Sequence, residues 1–195
     1  LSKTQPQGGL KAGDFVLFHA AAGGVGLIAC QWVKAMGLQL IVTTSSDAKC
    51  VLALENGAAF AINYAEEDFV ARVKEITGDA GVKVVYDSVG KDTFLKSLDC
   101  PQPFGLIANF GNASGKVEPL DLGLLASKGS LYTTRPTVFT HLATRESTQA
   151  MADELFEMVI SGKVNIAIDQ RFPLADVAEA HRSLAFSYTH LTLPT

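Results

Sequence analysis

From Phe15 to Val33 the chain runs for nineteen residues without a formal charge. That is about the least a membrane-spanning helix needs. Yet Gly23, Gly24 and Gly26 fall in the middle of the stretch, and Asp14 and Lys34 bound it closely. Three glycines in four positions break an apolar helix and mark a tight turn. The stretch reads instead as a short strand from Phe15 to Ala20, a turn, and a buried helix from Gly24 to Met36.

The alternation continues downstream. Gln39 to Thr43 forms a second strand, followed by a helix from Asp47 to Asn56, with Asp47 set as its N-cap and Gly57 as its stop. A strand at Phe60 to Asn63 precedes a helix from Asp68 to Thr77, closed by Gly78. Val82 to Asp87 and Gly105 to Phe110 are further strands, with a helix near Thr93 to Leu98 between them. Ser130 to Thr133 is a sixth strand, expected at the sheet's edge. Such alternation gives βαβ units, and right-handed crossovers make the fold class α/β, a doubly wound parallel sheet covered on both faces. After Thr134 the texture changes. A long amphipathic helix, Thr144 to Ser161, leads to Ile166–Phe172, and Pro173 and Asp176 open a last helix toward Phe186.

Composition narrows the function. The 195 residues are 48% hydrophobic and 18% charged, enough for one full domain or one domain plus a remnant. Sixteen basic residues against twenty acidic ones give a net charge of −4 without long runs. Neither a nucleic acid nor an anionic membrane is an expected partner. Cys30, Cys50 and Cys100 lie far apart with no Cys-x-x-Cys pair, which fits reduced thiols in a cytoplasmic protein rather than a disulfide scaffold or a zinc site.

The residues Ala20 to Gly26 (Ala-Ala-Ala-Gly-Gly-Val-Gly) sit between the first strand and the first helix. Glycines there let backbone approach a pyrophosphate, whose charge faces the N–H groups and the positive dipole end of the helix. Against the Gly-x-Gly-x-x-Gly template, Gly23 and Gly26 match and Ala21 replaces the first glycine. Gly23, Gly24, Val25 and Gly26 are therefore candidate dinucleotide ligands; the bland alternative is a mere tight turn. The second strand of an NAD site usually ends on an acid that accepts from the ribose 2′-hydroxyl. Here it ends Thr43-Thr44-Ser45-Ser46-Asp47-Ala48-Lys49. Hydroxyls at Thr44 and Ser45 and the charge of Lys49 suit a 2′-phosphate, so the cofactor expected is NADPH. Asp47 would repel such a phosphate unless capping occupies it, and Lys49 reads equally as a solvated surface lysine. Asp87-Ser88-Val89-Gly90 and Phe110-Gly111-Asn112 end the fourth and fifth strands, where ligands of open α/β sheets bind, though both also suit caps and turns.

Several longer stretches resemble one family. They are Phe18 to Trp32, Ile62-Asn63-Tyr64, Val84 to Gly90, Phe110 to Asn112, Lys128 to Tyr132 and Thr134-Arg135-Pro136. Together they resemble the quinone oxidoreductase (zeta-crystallin-like) branch of the medium-chain dehydrogenase/reductases, close to its bacterial members, over about Phe15 to Phe186. The resemblance implies a Rossmann domain in which the glycine loop holds the pyrophosphate. It puts Lys49 and Tyr64 by the adenosine 2′-phosphate, and Ser88, Phe110, Gly111 and Asn112 along the cofactor groove. Thr134, Arg135 and Pro136 run near the nicotinamide.

By the same resemblance, residues 1–136 are the dinucleotide-binding domain. Residues 137–186 are a remnant of a GroES-like barrel domain whose N-terminal part is absent from the chain. The implied activity is zinc-independent reduction of a small-molecule quinone or electron-poor carbonyl compound by NADPH, in a homodimer. Two alternatives stay open: an enoyl or alkenal double-bond reductase, and a non-catalytic NADPH-binding protein of the crystallin type. No residue is assigned as catalytic. His19 falls inside the first strand and reads as a satisfied core histidine; Tyr86 and His181 read as structural, and Trp32 and Met36 as the packing stripe of the first helix. Residues 187–195 resemble the in-frame translation of a transposon-end sequencing adapter, the alternative being an ordinary polar tail, so His190 is given no role.

Overall fold

The computed structural model describes residues 9–168 and 170–187. It divides into two compact units, the first ending at Asn165 and the second beginning at Ile166. In the first unit, six parallel strands form one sheet: β1 (Phe15–His19), β2 (Gln39–Thr44), β3 (Phe60–Asn63), β4 (Val82–Asp87), β5 (Pro101–Asn109) and β6 (Tyr132–Thr134). Their order is β3-β2-β1-β4-β5-β6, that of the Rossmann fold, with β6 at an edge as expected.

Sidedness follows from the strand period of two. Val16 and Phe18 of β1, Leu40 and Val42 of β2, and Leu106 and Ala108 of β5 join one core cluster. Leu17, Ile41 and Ile107, one residue out of phase, join the other. Helices cover both faces, so the strands are continuous apolar runs rather than alternating ones. The first cluster is closed by α1 (Gly24–Ala35), which buries Gly26, Ala29, Cys30 and Val33 at helical spacing. Met36 packs against that cluster, while Trp32 is only half-buried. The second cluster takes Phe69 and Val73 from α3 (Phe69–Thr77) and Phe94 from α4 (Phe94–Ser97).

Local chemistry sets the helix ends. Asp68 caps α3 by accepting from the N–H groups of Val70 and Ala71 at 2.8 and 3.2 Å, and Gly78 ends it at φ +59°. For α2 (Asp47–Glu55) the expected cap is displaced by one residue. Ser46 is the N-cap, its hydroxyl accepting from the Lys49 N–H, and Asp47 is the first helical residue. Two strands also depart from expectation. β5 begins at Pro101 rather than Gly105, because a register shift against β4 lets Pro101 pair with Val82. β6 begins at Tyr132 rather than Ser130, because Gly129 and Ser130 turn through positive φ (+112° and +54°).

Short helices α5 (Leu122–Ser127) and α6 (Val138–His141) carry too few turns to show a period and were not expected. The long helix α7 (Arg145–Ile160) is capped reciprocally by Thr144 and Ser147, and none of its residues is buried. The chain then returns to α1. Val164 is buried, and the Gln31 side chain both accepts from the Asn165 N–H (2.6 Å) and donates to its carbonyl (3.1 Å).

The second unit carries a 3-10 turn (Leu174–Asp176) running into α8 (Val177–Ser187), where Arg182 pairs with Glu179 at 2.8 Å. His181 is exposed on α8. The adapter-like residues beyond Ser187, His190 included, lie outside the described residues. Among the described residues no helix is long and apolar enough to cross a membrane.

Candidate functional site

The carboxyl ends of the strands carry the candidate site. After β1 the chain turns at Ala20 with φ +58°, a left-handed value that a non-glycine residue rarely takes. Gly23 then caps α1 in extended conformation, without any side-chain hydrogen bond and with no acidic residue in the helix's first turn. The first-turn N–H groups of Gly24, Val25 and Gly26 have no acceptor within the helix. A Cβ on Gly24 would meet nothing within 4 Å, so this face of the turn is open. A Cβ on Gly26 would stand 2.3 Å from the Ala21 carbonyl oxygen, so that glycine permits the close approach of α1 to the loop. One glycine keeps space for a ligand, the other keeps the helix in place. A helix N-terminus with an open face of this kind suits an anion.

One strand over, β2 ends at Thr44. Its hydroxyl donates to the Ser46 carbonyl at 3.1 Å and meets the Cys50 sulfur at 3.0 Å, so this buried side chain shapes the turn. Ser45 is exposed and accepts from Lys49 Nζ at 3.0 Å. Tyr64 follows β3, 47% exposed, with its N–H bonded to the Thr44 carbonyl at 3.0 Å. Lys49 is half-buried, its ammonium bonded to the Ser45 hydroxyl. Asp47 accepts from Asn63 Nδ2 at 2.9 Å.

The ends of β4 and β5 are locked together. The buried Asp87 carboxylate accepts from the N–H groups of Val89 (2.8 Å) and Gly90 (3.0 Å) and from the Thr93 hydroxyl (2.9 Å). Ser88 and Gly111 lie in contact: a Cβ on Gly111 would come within 2.3 Å of the Ser88 carbonyl oxygen. Phe110 sets its ring 5.6 Å from that of Phe18, and Asn112 faces a cavity of about 420 Å³. Thr134 and Arg135 line the same cavity, and Arg135 Nη1 donates to the Asn109 carbonyl at 3.0 Å. Pro136 follows, half-buried. The structure adds Asn109, Lys116, Val117 and Leu120 to this wall. The last three sit in the loop between β5 and α5, where no period marks them in the sequence.

Buried nucleophiles nearby are held for structure. Ser97 donates its hydroxyl proton to the Thr93 carbonyl at 2.8 Å, so it accepts from His19 Nε2–H at 2.9 Å. His19 Nδ1 in turn accepts from the Thr43 hydroxyl at 2.8 Å. Burial pushes the imidazole down to about 4, against a smaller opposing pull from Asp87. It is a neutral, satisfied core histidine, as expected. Tyr86 is buried with its ring 5.9 Å from that of Phe18. Burial raises the Cys30 thiol to about 11 and the Cys100 thiol to about 12, far from thiolate chemistry at neutral pH. Among the described residues no three His, Cys, Asp or Glu side chains converge as metal ligands, so these residues do not fit a zinc ion.

The pattern of zinc-binding dehydrogenases matches residues 24–168. The quinone oxidoreductase of Pseudomonas aeruginosa is 55% identical over 176 residues, which is 90% of this chain and 54% of that protein. The crystal structure of Escherichia coli quinone oxidoreductase complexed with NADPH superposes with a TM-score of 0.83 at 51% identity, covering 90% of this chain and 54% of that one. A 2-haloacrylate reductase of Burkholderia is 42% identical over 177 residues, 89% of this chain and 52% of the relative. The chain thus spans about half the length of the curated relatives it matches. Sheet order, glycine loop and these matches agree: the chain belongs to the zinc-binding dehydrogenase family, and over its length it is similar to quinone oxidoreductases.

Proposed function

We propose that this chain is the cofactor-binding half of an NADPH-dependent, zinc-independent quinone reductase. The observation that carries the reading is the Lys49–Ser45 pair at the end of β2, one strand from the open face of the glycine loop. A cation and a hydroxyl side by side suit an adenosine 2′-phosphate, which supports the reading. The E. coli relative crystallised with NADPH supports the same choice. The first-turn amides of α1 would take the pyrophosphate, and Tyr64 would border the adenosine. Ser88, Phe110 and Asn112 would border the groove, with Thr134 to Pro136 at its nicotinamide end.

When bound, NADPH supplies a hydride; the protein orients it and excludes water. A quinone accepts that hydride without a metal, because its ring spreads the charge onto oxygen. The remaining half, which the resemblance puts before Phe15, would supply most of the substrate cleft. Residues 137–186 would pack against it, and residues 187–195 would be an appended tail with no role. Support for the packing comes from α6 and α7, where Phe139 and Ile160 are 83% and 86% exposed. The β6 edge would pair with a second copy in a homodimer. Three free cysteines support a cytoplasmic setting.

The Burkholderia relative favours a second reading, reduction of an activated carbon–carbon double bond with the same cofactor. Titration of the chain with NADPH and NADH tests the cofactor assignment; at least tenfold tighter NADPH binding is expected. Turnover of a quinone and of a 2-haloacrylate by the chain joined to its missing half separates the two substrate readings. Binding of NADPH with no turnover of either would support the crystallin-type alternative.

A further inference from the structure

Asp47 is the acid at the Ser45–Lys49 corner. It sits two residues from Ser45 and two from Lys49, in the first turn of α2. A carboxylate there suits the helix dipole but opposes any phosphate brought to Ser45 and Lys49. Left free, it would also present the acceptor by which NAD-type sites hold a ribose 2′-hydroxyl. The structure shows why neither need follow. Asn63, the last residue of β3, pairs in register with Thr44 and is 6% exposed. Its Nδ2 donates to Asp47 Oδ1 at 2.9 Å, and its Oδ1 accepts from the Ala65 N–H at 3.2 Å. The Ala65 contact fixes the amide's orientation, because a flipped amide would turn its oxygen on the carboxylate and its NH2 on an N–H. Tyr64, the next residue, is about half exposed.

We propose that Asn63 is a positioning residue for cofactor specificity: its amide ties back the Asp47 carboxylate, leaving the Ser45–Lys49 corner to a 2′-phosphate. The proposal rests on the NADPH reading above and deepens it. Asn63 touches no cofactor atom; it acts through Asp47. Selectivity at this corner then comes from restraint of an acid as well as from the presence of a base.

The test is a binding cycle with two small probes, adenosine 2′,5′-bisphosphate and adenosine 5′-monophosphate, which differ only in the 2′-phosphate. The wild-type chain is expected to prefer the bisphosphate. Asn63→Ala should lower that preference about tenfold by weakening the bisphosphate, with the monophosphate changed less than twofold. Adding Asp47→Ala to Asn63→Ala should restore the preference, since no carboxylate remains to be released. Equal loss of both probes in Asn63→Ala, or no rescue in the double variant, would overturn the clasp while the NADPH reading stands. A wild-type chain that does not distinguish the probes would overturn both. Thermal unfolding of each variant, expected within a few degrees of wild type, separates the specificity effect from loss of fold.

Discussion

Gly26 and Ala21 approach each other so closely that a Cβ on the glycine would lie 2.3 Å from the alanine's carbonyl oxygen and 2.4 Å from its Cα. The obstacle is backbone, which cannot swing aside as a side chain would. Gly24, two residues earlier, has nothing within 4 Å of its would-be Cβ. The two glycines therefore fail differently. Gly26→Ala should cost about 1–3 kcal/mol of stability by overpacking, seen as a lower urea midpoint. Gly24→Val should leave that midpoint nearly unchanged and weaken NADPH binding at least tenfold. The reverse pattern would put the phosphates elsewhere.

In the proposed reading Lys49 would offer a charge to the 2′-phosphate of the same ligand. Lys49→Glu removes a charge-assisted contact and adds repulsion, an effect of about 1.5–3 kcal/mol, or roughly ten- to a hundredfold in affinity. NADPH should bear that loss and NADH almost none of it. Titrations of both cofactors, run at one fixed salt concentration, check this; parallel losses would remove Lys49 from the 2′-phosphate.

His19 links the loop's supporting strand to pH. Its folded value is depressed, to about 4 from 6.5, chiefly by burial. The unfolded chain therefore takes up a proton in a range where the folded chain does not. Stability should therefore be complete above about pH 6.5 and be lost progressively as the pH falls toward about 4. Urea unfolding between pH 7 and 4 measures the slope. His19→Gln, which keeps hydrogen-bonding capacity without the titration, should flatten that part of it.

Much of this architecture was legible in the residues. Apolar runs such as Phe15–His19 and Val82–Asp87 identify themselves as doubly covered strands, and Gly57 and Gly78 mark helix ends through their positive φ. What escaped depends on partners distant in sequence. Nothing local says that Pro101 pairs with Val82, or that the Asn63 amide reaches Asp47 across sixteen residues. Asp47 looks like a cap because Asp caps often, yet Ser46 takes that position and frees the carboxylate for Asn63. Lys116, Val117 and Leu120 reach the cavity wall from a loop whose course no periodicity encodes.

The last prediction concerns the chain by itself. Val138, Phe139, Phe156 and Ile160 of α6 and α7 are all more than half exposed. Exposed apolar side chains of that kind, together with an open sheet edge at β6, favour association over a clean monomer. The 195-residue chain should therefore bind NADPH, elute from a sizing column as dimers or larger species, and fail to reduce quinone. Joining it to an N-terminal domain of the proposed kind should give turnover and sharpen the elution profile. Changing Phe139 and Ile160 to Ser in the isolated chain should reduce association, because these side chains are among the most exposed apolar groups of α6 and α7. A monomeric chain that reduces quinone unaided would show that the cleft is already complete and that these exposed side chains await no partner.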